Sequence, residues 1–172
     1  MKNFLITGSR NSGKTTLIKA LISSRLEMVC GYETVPQQHY EAGWTYKMVD
    51  LLSHEQRMIS TVDDQRIKGL ESTFRTFGVT CLERCLHNDK AIVVLDELGR
   101  FEKNCDEFIN VVNQLLDSQK IILAVLKKEP IAYLDQMKKR NDVILFDLDK
   151  QDFAEVKNAI GSMLTIEGEK EK

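Results

Sequence analysis

The chain has 172 residues, 42% of them hydrophobic, which is enough for one full-sized core and too few for two. Its 24 Lys and Arg face 26 Asp and Glu, a formal net charge of -2, and no stretch gathers one sign, so no strong nucleic-acid signal and no broad footprint for anionic lipid is present. No apolar run reaches the length of a membrane span and the start runs straight into a strand rather than a secretion signal, so a cytoplasmic protein with four reduced cysteines is expected.

In chain order, Phe4 to Thr7 is a short apolar run stopped by Gly8, and from Lys14 the residues Leu17, Ile18, Leu21 and Ile22 recur at helical spacing. That is a strand, a glycine loop and a helix. From about residue 31 to 78 the rhythm changes: Trp44, Tyr46 and Met48 alternate with Thr45, Lys47 and Val49, residues 53–56 look like a turn, and Met58 to Val62 follows, which predicts a β-hairpin. Asp63 to Phe77 is polar and holds Arg66, Lys68, Gly69 and Arg75; it reads as a mobile connection near the site or as an ordinary solvated loop. Cys81 and Cys85 fall in a predicted helix just before His87, a spacing that suits buried small hydrophobes better than metal ligands.

Ala91 to Leu95, Ile121 to Leu126 and Val143 to Phe146 are continuous apolar runs, the pattern of strands covered on both faces in a parallel sheet. Between and after them lie helical stripes: Phe108, Ile109, Val112, Leu115 and Leu116; then Pro130 in a first turn with Ile131, Leu134 and Met137; then Phe153, Val156, Ile160, Met163 and Leu164. Strands alternating with helices predict an α/β doubly wound sheet. The expected organisation is one domain over 1–166, with 31–78 as a hairpin and loop insertion, and a solvated tail over 167–172.

Gly8-Ser9-Arg10-Asn11-Ser12-Gly13-Lys14-Thr15 fits the phosphate-loop pattern GxxxxGK[ST] residue for residue. The loop opens a helix, where unpaired backbone amides and the helix dipole meet phosphates. Glycines let successive amides turn inward, Lys14 would bridge the β- and γ-phosphates, Thr15 would offer its hydroxyl to Mg²⁺ and Thr16 would approach the α-phosphate. Arg10 either helps to neutralise the γ-phosphate or points into solvent. Asp96 ends the run from Ala91, at the sheet edge from which the phosphate loop also emerges, so Asp96 suits Mg²⁺ and Glu97 suits orienting an attacking water. Trp44 and Tyr46 read as packing beneath the hairpin or as a stack for a base.

Asp96-Glu97-Leu98-Gly99-Arg100-Phe101-Glu102 resembles the Asp-Glu-Ile-Gly-Lys-Met-Glu signature of the small nucleoside-triphosphatases that include the cancer-related nucleoside-triphosphatase and its bacterial and archaeal relatives. Gly31-Tyr32-Glu33-Thr34, Ala42-Gly43-Trp44 to Asp50-Leu51, and Phe77-Gly78-Val79 resemble further segments of that family, so the likeness covers nearly the whole chain. It implies a RecA-like P-loop NTPase fold, Mg²⁺ dependence and slow hydrolysis of ATP, GTP or other triphosphates to diphosphate and phosphate. Three features depart from the family. Val35 to His39 lacks its arginine, Lys150-Gln151-Asp152 replaces its Asn-Arg-Asp, and Ser9 to Ser12 lacks the frequent proline and extra glycine.

Three functions are compatible with the residues. A nucleoside-triphosphatase would use Lys14 and Glu97 as catalytic groups. A nucleotide or small-molecule kinase shares the loop but needs a water-excluding lid, for which only Arg66, Lys68 and Arg75 are at hand. A nucleotide-dependent adaptor would present the 31–78 segment to an unidentified protein partner. Arg10, Arg66, Arg75 and Arg100 all remain candidates for a catalytic positive charge.

Overall fold

A computed structural model describes residues 3–169, with side chains described as far as Leu164. Side chains of the expected 167–172 tail, and its last three residues altogether, lie outside the described residues.

The strands are β1 (Asn3–Thr7), β2 (Val29–Tyr40), β3 (Gly43–Asp50), β4 (Gln56–Met58), β5 (Ser60–Asp63), β6 (Arg66–Gly69), β7 (Ile92–Leu98), β8 (Ile121–Leu126) and β9 (Val143–Asp147). The helices are α1 (Lys14–Ile22), α2 (Glu71–Thr73), α3 (Val79–His87), α4 (Asp106–Asp117), α5 (Ala132–Lys138) and α6 (Phe153–Glu169), with a π-helical turn over Phe74–Gly78 leading into α3. Seven strands form one sheet in the order β4-β3-β2-β7-β8-β1-β9. The five from β2 to β9 pair in parallel, and β3 and β4 add antiparallel to the β2 edge.

Continuous apolar runs were the signal for these parallel strands, and the core shows why. Along β8, Ile122, Ala124 and Leu126 face one cluster with Phe108, Leu115 and Leu134, while Ile121, Leu123 and Val125 face another with Leu17, Ile18 and Ile160. Helices α3, α4 and α5 therefore cover one face and α1 and α6 the other, so no β8 side chain meets water.

The 31–78 region is more regular than its sequence predicts. The expected hairpin forms, with Lys47 opposite Met58 and Val49 opposite Gln56, but the strand breaks at buried Ile59. Residues 60–63 pair instead with 66–69 in a separate two-stranded sheet. The main partner of β3 is β2, twelve residues long, whose ladder is irregular between Pro36 and His39. Polar residues and a proline hid β2 from pattern reading. Asp63 to Phe77 is likewise not a plain loop. It carries β6, α2 and the π-helical turn, and it is joined to β5 by Asp64-Gln65, both at positive φ. That turn lacks the glycine that normally marks such a hairpin. Gly69 lies so close to Phe101 that a Cβ would stand 2.4 Å from its carbonyl oxygen, which clamps the small sheet over the segment after β7. Pro130 sits one residue before the N-cap Ile131 of α5 rather than in its first turn.

Candidate functional site

The loop between β1 and α1 has the backbone that an anion cradle needs. Asn11 and Gly13 adopt φ of 64° and 95°, and α1 starts at Lys14 with its first amides unpaired by any side-chain cap. Gly8 has a steric reason as well, because a Cβ there would stand 2.5 Å from the Ser12 Oγ. That hydroxyl is buried and has no hydrogen-bond partner among the described residues. Lys14 Nζ donates to the carbonyls of Gly8 at 3.0 Å and Ser9 at 2.7 Å. Burial lowers the Lys14 pKa, Lys127 lowers it further, and Glu97 and Asp96 oppose both.

Parallel strands deliver their C-terminal ends to one edge, and here β7 and β1 flank β8. Asp96, 4% exposed near the end of β7, lies beside Thr15 at the mouth of the phosphate loop, and both line the same cleft. Desolvation pushes its carboxyl up to about 6, against the lowering effect of Thr15, with Glu97 and Glu33 adding repulsion. Glu97 turns outward, with its carboxylate 31% exposed and 3.8 Å from the Lys127 ammonium.

The backbone after Glu97 is pinned at successive groups. The Glu97 carbonyl accepts from Tyr32 Oη at 3.3 Å, and the Leu98 carbonyl accepts from the Lys127 amide at 2.8 Å. The Gly99 amide donates to Glu102 Oε1 at 2.5 Å, and Tyr133 Oη donates to the same oxygen at 2.5 Å. Glu102 is 2% exposed; burial raises its pKa, and the bonds from Tyr133 and Gly99 moderate the rise. Glu102 therefore anchors the turn and does not face water.

These groups line a cleft of about 1050 Å³. Eight residues of the 8–16 segment line it; the ninth, Ser12, lies beneath the loop. Asp96 and Glu97 also line it, and Pro36, Trp44, Tyr46, Ile67 and Phe101 add an apolar part of the wall. Tyr46 packs against Phe101 with ring centroids 6.0 Å apart, and Trp44 meets His39 edge-on at 5.1 Å, while both rings also line the cleft.

Of the four arginines weighed from sequence, Arg10 and Arg100 line the cleft and Arg66 and Arg75 do not. Arg75 pairs with Glu107 at 2.9 Å, and Lys68 is engaged by Asp63, so the cations expected of a lid are turned elsewhere. Sequence reading missed Lys127 and Lys128, which line the cleft directly after β8. It also missed Asp149, whose carboxylate accepts from the Ser9 amide at 2.9 Å and the Ser9 hydroxyl at 2.7 Å. Lys128 bridges Asp147 and Asp149 at 3.0 and 2.7 Å and, with Ser9, holds the Asp149 carboxyl well below the usual carboxylate range. The available signal was position: each follows an apolar strand end on the edge that carries Asp96.

Cys30, Cys81 and Cys85 are buried free thiols, and no group of three or more His, Cys, Asp or Glu among the described residues is placed to hold a metal. Among the described residues no helix is long and apolar enough to cross a membrane.

A family model described as NTPase matches residues 3–161. The chain is 32% identical to the nucleoside-triphosphatase THEP1 of Thermotoga maritima over 97% of this chain and 98% of that one. It is 29% identical to the cancer-related nucleoside-triphosphatase homolog of Mus musculus over 86% of this chain and 88% of that one. The crystal structure of THEP1 from Aquifex aeolicus superposes with a TM-score of 0.75 at 20% identity, covering 95% of this chain and 99% of that one, and shows the same P-loop NTPase fold.

Proposed function

The chain belongs to this NTPase family and is a nucleoside-triphosphatase, and we propose that it is a Mg²⁺-dependent, cytoplasmic one that hydrolyses ATP- and GTP-type nucleotides to diphosphate and phosphate in the cleft at the Asp96 edge. The observation that carries this reading is the pair of adjacent carboxylates in one cleft with a phosphate loop: Asp96 is buried beside Thr15, and Glu97 is turned outward.

The donors fit Mg²⁺. Thr15 and Asp96 offer hard oxygen donors in the same cleft, and a carboxylate desolvated enough to reach a pKa of about 6 is one that a divalent cation would relieve. Mg²⁺ held there would neutralise charge between the β- and γ-phosphates. The loop amides and Lys14 bind and orient the triphosphate, whose charge replaces the Gly8 and Ser9 carbonyls as the partner of Lys14. Glu97 accepts the proton of a water as its oxygen bonds to the γ-phosphorus and the bond to the β-bridging oxygen breaks. The products are a nucleoside diphosphate and inorganic phosphate.

Phosphate release measured with ATP, GTP, CTP and UTP, with Mg²⁺ and with the metal chelated, tests the proposal. Release that persists in chelator would remove the metal from it, and release restricted to one nucleotide would narrow the substrate class.

A further inference from the structure

In hydrolysis of a triphosphate, negative charge spreads over the equatorial oxygens of the transferring group, and a cation beyond the phosphate-loop lysine commonly meets it. This chain has no arginine at 35–39, and the structure narrows the remaining candidates. Arg66 and Arg75 lie outside the cleft, and Arg10 lines it from an exposed position in the phosphate loop with no ion pair that fixes it among the described residues. Arg100 lies over the Phe101 ring at 5.5 Å and 4.0 Å from Glu129, and Lys128 is held by two aspartates.

We propose that Lys127 is the catalytic cation of this cleft, its ammonium meeting the γ-phosphate oxygens as the bond to the leaving diphosphate breaks. The inference rests on the hydrolytic reading above. The sheet order supports it, because β8 runs between the strand that carries the phosphate loop and the strand that carries Asp96: Val125 lies opposite Ile6 on one side and Asp96 on the other. The residue two beyond Val125 therefore leaves the sheet midway between loop and acids. Its ammonium stands 3.8 Å from Glu97 Oε1, and Lys14, Glu97 and Lys127 line the same cleft.

The base of its side chain is held in place. The Lys127 amide donates to the Leu98 carbonyl at 2.8 Å, and the stem lies on Gly99, where a Cβ would stand 3.3 Å from the Lys127 Cβ. Gly99 is in turn held by Glu102 and Tyr133. Glu97 takes the proton from the attacking water, the water oxygen bonds to phosphorus, and Lys127 keeps its own proton throughout while neutralising the oxygens of the phosphate released.

The test compares Lys127→Ala and Lys127→Met with the unmodified chain in single-turnover phosphate release from ATP, with ADP affinity measured by calorimetry and propylammonium added as a replacement cation. Both variants should slow on the order of 10²-fold or more, with ADP affinity held within about twofold. Propylammonium should accelerate the alanine variant saturably and leave the methionine variant, whose stem fills the same space, unchanged. Release within about threefold of the unmodified rate, an equal loss of ADP affinity, or slowing in the alanine variant with no rescue would each overturn the role. Glu97→Gln run in parallel keeps the two ideas separate: an unchanged rate there retires Glu97 as the base, whereas the Lys127 readouts report on the cation alone.

Discussion

Replacing Glu97 with Gln separates turnover from binding, because the structure gives the carboxylate little else to do. It is 31% exposed, and among the described residues its ion pair is with Lys127, itself 36% exposed, at 3.8 Å. A pair that open to solvent contributes at most about 1 kcal/mol, so the fold should lose no more than that. Positioned general bases typically contribute 10²- to 10⁴-fold, and the lower end alone is about 2.7 kcal/mol of barrier, well above the stability term. Binding should move the other way: Glu97 and a γ-phosphate are like charges in one cleft, and Gln removes the repulsion. The expected result is phosphate release slowed on the order of 10²-fold or more in single turnover, with calorimetric affinity for ATP unchanged or tighter. Release at the unmodified rate would refute the base assignment, and weaker ATP binding would refute the placement of Glu97 beside the γ-phosphate.

Lys14→Ala should weaken triphosphate affinity by roughly 10- to 100-fold, the range of a charge-assisted hydrogen bond, while the loop amides remain; an unchanged calorimetric titration would remove Lys14 from the phosphate site. Thr15→Ala and Asp96→Asn should each raise the Mg²⁺ concentration for half-maximal release by about tenfold or more, and unchanged Mg²⁺ titrations in both would dismiss them as ligands. The raised pKa of Asp96 has a sign that can be checked: burial disfavours the ionised carboxylate, so above about pH 6 the fold bears that cost, and Asp96→Asn should keep or raise the melting temperature in metal-free buffer. Tyr133→Phe leaves buried Glu102 with the Gly99 amide but without the hydroxyl, which should cost about 1–3 kcal/mol in denaturant unfolding; no measurable loss would show that the hydroxyl does not hold the turn.

The parts of the site that could be read from sequence are those whose chemistry is local. Gly8, Gly13, Lys14 and Thr15 stand out because the phosphate-loop pattern sets glycines, a lysine and a hydroxyl at fixed spacing within one loop. Asp96 and Glu97 were legible one step further out, since an apolar run that must lie inside a parallel sheet ends where its next polar residues meet the edge. Long β2 was lost because its second half is polar with one exposed edge of the molecule to face, and β5 and β6 because Asp64 and Gln65 make a turn without its usual glycine.

Lys127 was illegible for a different reason. Two lysines after an apolar run read as solvated strand-end charges, and nothing within ten residues distinguishes them from Lys138 and Lys139 at the end of α5. What distinguishes Lys127 is strand order, with β8 inserted between β7 and β1 although it follows both in sequence. That order is set by non-local burial: the two faces of β8 complete both core clusters at once, and only the centre of the sheet offers cover on both sides. The same packing that makes the strand wholly apolar thus carries the residue just beyond it to the middle of the catalytic edge. In this fold, a charged residue directly after the most apolar strand is a better candidate for the site than the arginines of the more polar insertion.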